Sequence, residues 1–175
     1  MSTRHAVAFM HVKGSSQGGF LDDGTRAGSG RTSCHSVRFR GDVPHDVRGG
    51  KHHVTKHEPI SVVHEWGPAT AQFLSALWSN EVLDEVRFEF VRADRHGKEE
   101  VYATLTLTKA TVAYVELRSG GQSEGGKAGQ PSGAGEPEAG EWLAFDDVGL
   151  HAEKIEFTIK NGSGNVTATY DRSKS

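Results

Sequence analysis

The chain has 175 residues, of which 35% are hydrophobic and 22 are glycine, and its formal net charge is -3. That length fits a single domain over residues 1–175, able to bury a core without covalent staples. The slightly acidic balance excludes nucleic acid as the main partner, because counterion release requires a cationic surface. The only cysteine, Cys34, excludes an intramolecular disulfide and fits folding in a reducing cytosol. With no partner motif around it, Cys34 reads as a small packed side chain rather than a nucleophile or metal ligand. The first residues lack the apolar run of a secretory signal, and no uncharged apolar stretch reaches the roughly 18 residues of a membrane span. The expectation is a chain without a membrane anchor that leaves the cell, if it does, without a signal peptide.

In chain order, residues 5–13 set Val7 and Phe9 on one side and Ala8, Met10 and Val12 on the other, a strand covered on both faces. Residues 14–32 hold six glycines and read as a long loop. A short strand over 34–40 points Val37 and Phe39 one way and Arg38 and Arg40 the other. Residues 41–56, with Pro44 and the pair Gly49-Gly50, read as a loop or an extended hairpin arm in which His45, His52 and His53 crowd towards His57. Over 59–66, Ile60, Val62, His64 and Trp66 alternate with Ser61, Val63 and Glu65, which is a strand.

Gly67-Pro68 then opens the one convincing helix, since proline suits a first helical turn. Phe73, Leu74, Leu77 and Trp78 form its apolar stripe, expected to pack on the sheet, and Asn80 is its stop. Val86, Phe88 and Phe90 alternate with Arg87 and Glu89. After the turn at residues 94–97, Val101, Ala103, Leu105 and Leu107 alternate with Tyr102, Thr104 and Thr106, so this is a β-hairpin. The second run continues through a bend at Lys109-Ala110 to Leu117.

Residues 119–140 are almost wholly Gly, Ser, Glu, Pro, Ala and Gln, cannot recover ordering entropy by burial, and read as a flexible surface loop. Strands over 142–145, 155–159 and 166–170 follow, the last two joined by the turn at residues 161–164. Seven to nine short strands with one helix and long glycine-rich loops predict a mostly β fold, a small closed barrel or sandwich of antiparallel strands with the helix against it.

No constellation of residues carries chemistry. His53 and His57 have helical zinc-site spacing, but Val54-Thr55 and the neighbouring glycines disfavour a helix and no H-E-x-x-H pattern occurs. The glycines from Gly14 lack a phosphate loop's Gly-Lys-Ser/Thr ending, and Asp22-Asp23-Gly24 lacks the calcium-loop pattern. No nucleophile elbow is present, and Glu99 and Glu100 point to opposite faces of a strand. Sequons at Asn161 and Asn165 matter only in a eukaryotic secretory protein. The expectation is a non-enzymatic protein with no cofactor.

Residues 57–66 (HEPISVVHEW), the helix with Phe73, Leu74 and Leu77, residues 79–90 (SNEVLDEVRFEF) and residues 97–112 (GKEEVYATLTLTKATV) form an ordered series. It resembles the haemolysin-coregulated protein (Hcp) family, the tube proteins of bacterial type VI secretion. Residues 11–15 (HVKGS) are similar to that family's opening strand, and residues 153–157 (EKIEF) to a late strand.

The resemblance implies a small β-barrel with one flanking helix that closes into hexameric rings. Rings stack into a tube that a contractile sheath drives outward, with spike and baseplate proteins as further partners and effector proteins in the lumen. It also implies a protein made in the bacterial cytoplasm and then secreted through the apparatus. On this reading residues 41–56 are an arm reaching a neighbouring ring, with Val43, Pro44, His45, His52 and His53 as stacking residues. One face of the strand over 34–40 lines the lumen, through Arg38 or Phe39. The loops over 14–33 and 119–140 depart from the family pattern and bear on stacking. Two other readings stay open: a tube subunit of a phage-tail-like injector, and a monomeric β-sandwich binding module.

Overall fold

The structure, a computed structural model, describes residues 8–23, 30–42, 56–120, 143–162 and 164–174. Strand β1 (Ala8–Gly14) sits between β3 (Thr32–Arg38) and β7 (Val82–Ala93); Ala8, Met10 and Val12 are buried on one face, while the other carries buried Phe9 beside half-buried His11 and exposed Lys13. From β7 the sheet continues to β8 (Glu99–Gly120) and β9 (Leu143–Asn161). Then β9 pairs with β6 (Ile60–Glu65), which pairs with β3 and closes a six-stranded antiparallel barrel. Two strands lie outside it: β2 (Gly18–Gly19) folds back on β1, and β10 (Gly164–Asp171) pairs with β9. A separate pair, β4 (Gly41–Asp42) with β5 (Lys56–His57), forms the base of a hairpin. Thus the long loop expected over 14–32 contains a tight turn and the start of β3, and the hairpin reading of 41–56 is supported at its base.

The barrel closes because β8 and β9 are long enough to pair with each other and with different neighbours along their lengths. Residues 99–111 of β8 pair with β7, and β8 residues 111–120 pair with the first half of β9, whose other edge meets β6. The bend expected at Lys109-Ala110 is present, and Lys109 adopts a φ of 50°, a left-handed conformation rare outside glycine. Its ammonium lies 3.6 Å from Glu153 on the facing strand. One expectation is corrected here: residues 142–145 and 155–159 do not form two strands. From Leu143 onward they belong to the single 19-residue β9. Trp142 and most of the stretch 119–140 lie outside the described residues, while Ser119 and Gly120 end β8.

Helix α1 (Pro68–Ser79) begins where Pro68 fixes the first turn and the Thr70 hydroxyl accepts the Gly67 N–H at 3.1 Å. It ends at Asn80, left-handed at φ 51°, as the sequence predicts. Its buried face is narrower than the expected stripe. Ala69, Phe73 and Ala76 are buried, Leu74 and Leu77 are half-buried, and Trp78 remains 79% exposed. Small side chains at 69 and 76 let the helix lie close to the barrel, and Phe73 fills the gap against Phe20, ring centroids 5.1 Å apart. The core comprises inward residues such as Met10, Val62, Leu83, Val86, Phe88, Leu107, Val148 and Leu150. Each large side chain fully buried there contributes roughly 1.5–3 kcal/mol.

Candidate functional site

Cross-strand pairing sorts β1, β7, β8, β9 and β10 into rows that alternate between two faces. The inward rows are apolar: Val12, Val86, Leu107, Ile155 and Tyr170; then Met10, Phe88, Leu105, Phe157 and Ala168; then Ala8, Phe90, Ala103, Ile159 and Val166. The outward rows are polar: Lys13, Glu85, Thr108, Lys154 and Asp171; then His11, Arg87, Thr106, Glu156 and Thr169; then Phe9, Glu89, Thr104, Thr158 and Thr167. The single aromatic in those outward rows, Phe9, is buried beneath the Arg31 guanidinium, which lies 3.9 Å above its ring and pairs with Glu89 at 3.3 Å.

The inward face does not stay covered. Within the barrel Phe88 and Leu105 are buried, but towards β10 Phe157 is 36% exposed, Ile159 41% and Val166 65%. The outer edge of β10 has no partner strand among the described residues. An apolar face and an open strand edge therefore coincide at one end of the sheet, the combination that marks an interaction surface on a water-exposed domain.

Two networks missed by sequence reasoning hold the frame of this surface. The first is buried in the barrel. His64 Nδ1 lies 3.1 Å from Asp146 Oδ1 and 2.8 Å from the Glu65 carbonyl oxygen, so Nδ1 carries the proton, and both side chains are wholly buried. Burial pushes the Asp146 carboxyl above the ordinary carboxylate range, while His64 and the Thr70 hydroxyl draw it back. The signal was a histidine at an inward position of an alternating strand, which requires a polar partner. The second network ties α1 to the turn after β1. Glu81 Oε1 accepts the backbone N–H groups of Ser16 at 2.7 Å and Gln17 at 2.9 Å, and Oε2 accepts the Gln17 amide at 2.8 Å. Gly14 is required beneath it, because a Cβ there would overlap the Glu81 carboxylate.

Of the residues singled out in the sequence as lumen or stacking contacts, Arg38 and Phe39 are described. Arg38 stands in solvent and pairs with Glu58 at 3.8 Å, whereas Phe39, half exposed, stacks on His57 with centroids 5.5 Å apart. Val43, Pro44, His45, His52 and His53 lie outside the described residues. Among the described residues, no three His, Cys, Asp or Glu side chains are grouped to hold a metal ion, and no helix is long and apolar enough to cross a membrane. Burial drives the Cys34 thiol far above its ordinary pKa, which removes thiolate character from the only cysteine.

No characterised protein matches the chain at the sequence level. The fold is shared with solved structures. A crystal structure of an Hcp protein superposes with a TM-score of 0.72 at 20% identity, covering 94% of this chain and 98% of that one. The Hcp1 protein of Escherichia coli EAEC 042 gives 0.73 at 15% identity, covering 96% and 99%. The secreted protein Hcp3 of Pseudomonas aeruginosa gives 0.65 at 18%, covering 94% and 98%. At these identities the likeness establishes the fold. The family follows from the sequence itself: residues 9–159 match the family described as type VI secretion system effector, Hcp. The chain belongs to the Hcp family, the tube proteins of type VI secretion.

Proposed function

We propose that this chain is a structural subunit that closes with copies of itself into hexameric rings, and that the rings stack into the inner tube of a type VI apparatus. The observation that carries this reading is the inward face of β9 and β10, whose Phe157, Ile159 and Val166 leave the barrel core uncovered beside an open strand edge. A closed ring of identical subunits needs two different complementary patches per copy, and this end of the sheet supplies the first. Burying it against a neighbour removes apolar surface from water at roughly 25 cal/mol per Å².

The outward face suits a different task. Its charges pair locally, with Arg31 and Arg87 both on Glu89 at 3.3 Å and Lys154 on Glu156 at 3.3 Å, and its centre is a row of threonines. Such a surface is hydrated and low in adhesion, which fits a wall past which effector proteins travel or against which a sheath slides. Of the two lumen residues considered, Arg38 is the more exposed contact, paired with solvent-exposed Glu58, whereas the Phe39 ring is engaged by His57. The arm that begins at β4 and returns at β5 bridges successive rings, with Val43, Pro44, His45, His52 and His53 as its contacts. The protein reaches the exterior through the apparatus it helps to build, and acts with sheath, spike and baseplate proteins.

The test is imaging of purified protein by electron microscopy. The wild type forms rings, and Ile159→Lys with Val166→Lys abolishes them while the circular dichroism of the β fold is retained. Replacing residues 43–55 by a short turn preserves single rings and eliminates stacks. Rings that persist in the double variant overturn the assignment of this interface, and stacks that survive loss of the arm overturn its bridging role.

A further inference from the structure

We propose that His57 is a proton-sensitive fastener: its neutral imidazole holds the β4–β5 pair against β10, and its protonation releases that pair. The geometry is a three-sided clamp. The Phe39 ring stacks on His57 at 5.5 Å with 26° between planes, and Tyr170 of β10 meets it edge-on at 4.1 Å. The third side is backbone, for a Cβ on Gly41 would come within 3.0 Å of Nδ1, so a side chain there would displace the imidazole. Tyr170 in turn occupies the inward row with Ile155, which anchors the clamp to the barrel core.

Within this clamp Nδ1 and Nε2 are both shielded from water, and neither has a hydrogen-bond partner among the described residues. A neutral imidazole leaves one N–H donor unpaired there; an imidazolium leaves two, together with a full charge. The charged groups on the surrounding elements do not relieve this. From the stretch joining β3 to β4, Arg40 takes Asp42 at 3.2 Å. Beside His57 on its own stretch, Glu58 is held by Arg40 at 3.6 Å and by Arg38 at 3.8 Å. On β10, Asp171 accepts the Ser173 N–H at 3.0 Å and its hydroxyl at 2.6 Å. The attraction of the Phe39 and Tyr170 rings for a cation opposes release, but it does not replace the water that two N–H donors lose.

Burial accordingly lowers the His57 pKa. A base whose folded pKa is depressed adds stability that is complete above its unfolded pKa, near about 6.5, and is lost as pH falls from there. The clamp is therefore closed at neutral pH and weakened in acid. All three rings belong to one copy, so the inference does not depend on ring assembly.

Hydrogen exchange of the full chain, followed by mass spectrometry at about pH 7.5 and about pH 5.5 and corrected for intrinsic rates, tests it. In the wild type, amides in peptides spanning residues 39–42, 56–60 and 166–171 exchange several-fold faster in acid, because the imidazolium formed there favours the open clamp. The β1 amides of Met10 and Val12 do not change. His57→Phe keeps the ring without the proton and exchanges slowly at both values, whereas His57→Gln exchanges fast at both. An acid response of equal size in His57→Phe, no response in the wild type, or an equal response in β1 would overturn the proposal.

Discussion

Phe88 and Phe157 stand in one cross-strand row with Leu105 between them, yet Phe88 is wholly buried and Phe157 keeps 36% of its surface in water. The next row repeats the contrast, from buried Ala103 to Ile159 and Val166. Residue type and strand face are the same at the two ends; what differs is the cover. At the Phe88 end the closed barrel and α1 lie over the face, whereas the far end runs past the barrel onto β10, which has one strand neighbour among the described residues. The alternation that places a side chain inward therefore does not decide whether it belongs to this chain's core or to a contact with another chain.

Substitutions separate the two ends. The largest effect is expected at the covered end, where Phe88→Ala leaves a cavity among Met10, Leu105 and their neighbours and lowers unfolding free energy by about 3–5 kcal/mol in chemical denaturation. Glu81→Gln, which weakens the tie between α1 and the turn after β1, costs about 1.5–3 kcal/mol. Although burial raises the Glu81 carboxyl, donation from Gln17 and Ser16 outweighs it and holds the pKa below the ordinary value. A depressed carboxyl adds stability that is present above its unfolded pKa, near about 4.3, and lost as pH falls through the folded value. Urea titrations between neutral and acidic pH should show this slope in the wild type, reduced in Glu81→Gln.

Gly149→Ala is expected to cost about 1–3 kcal/mol in thermal unfolding, because the new Cβ falls inside the Tyr114 ring and displaces its hydroxyl from Asp147. At the uncovered end, Val166→Lys should change the unfolding free energy of the isolated fold by no more than about 0.5 kcal/mol. It should nevertheless reduce the mass of the assembled species. A loss of stability at Val166 comparable to that at Phe88 would erase the comparison.

Much of the central frame was legible in the sequence. The alternation of Val86, Phe88 and Phe90 against Arg87 and Glu89, and of Leu105 and Leu107 against Thr104 and Thr106, marked the hairpin and the two sides of its strands, because period two is a property of the backbone itself. Pro68 and Asn80 marked the helix ends for equally local reasons. The continuity of β9 was not legible, since Asp146, Asp147 and Gly149 interrupt the apolar pattern. Asp146 is tolerated only because His64, distant in sequence, faces it, and Gly149 is occupied from above by Tyr114. The exposure of Trp78 was hidden for a similar reason: helical spacing puts it on the stripe, but the close approach allowed by Ala69 and Ala76 narrows the face that is covered. The candidate interface could not be read at all, because Phe157, Ile159 and Val166 carry the pattern of any core strand.

The central claim, that the uncovered end of the sheet is closed by another copy, is tested most directly by the solution mass of the wild-type chain from light scattering on a sizing column, over a range of concentrations. The account predicts a species about six times the 18.9 kDa of one chain. A single-chain mass at every concentration would contradict it.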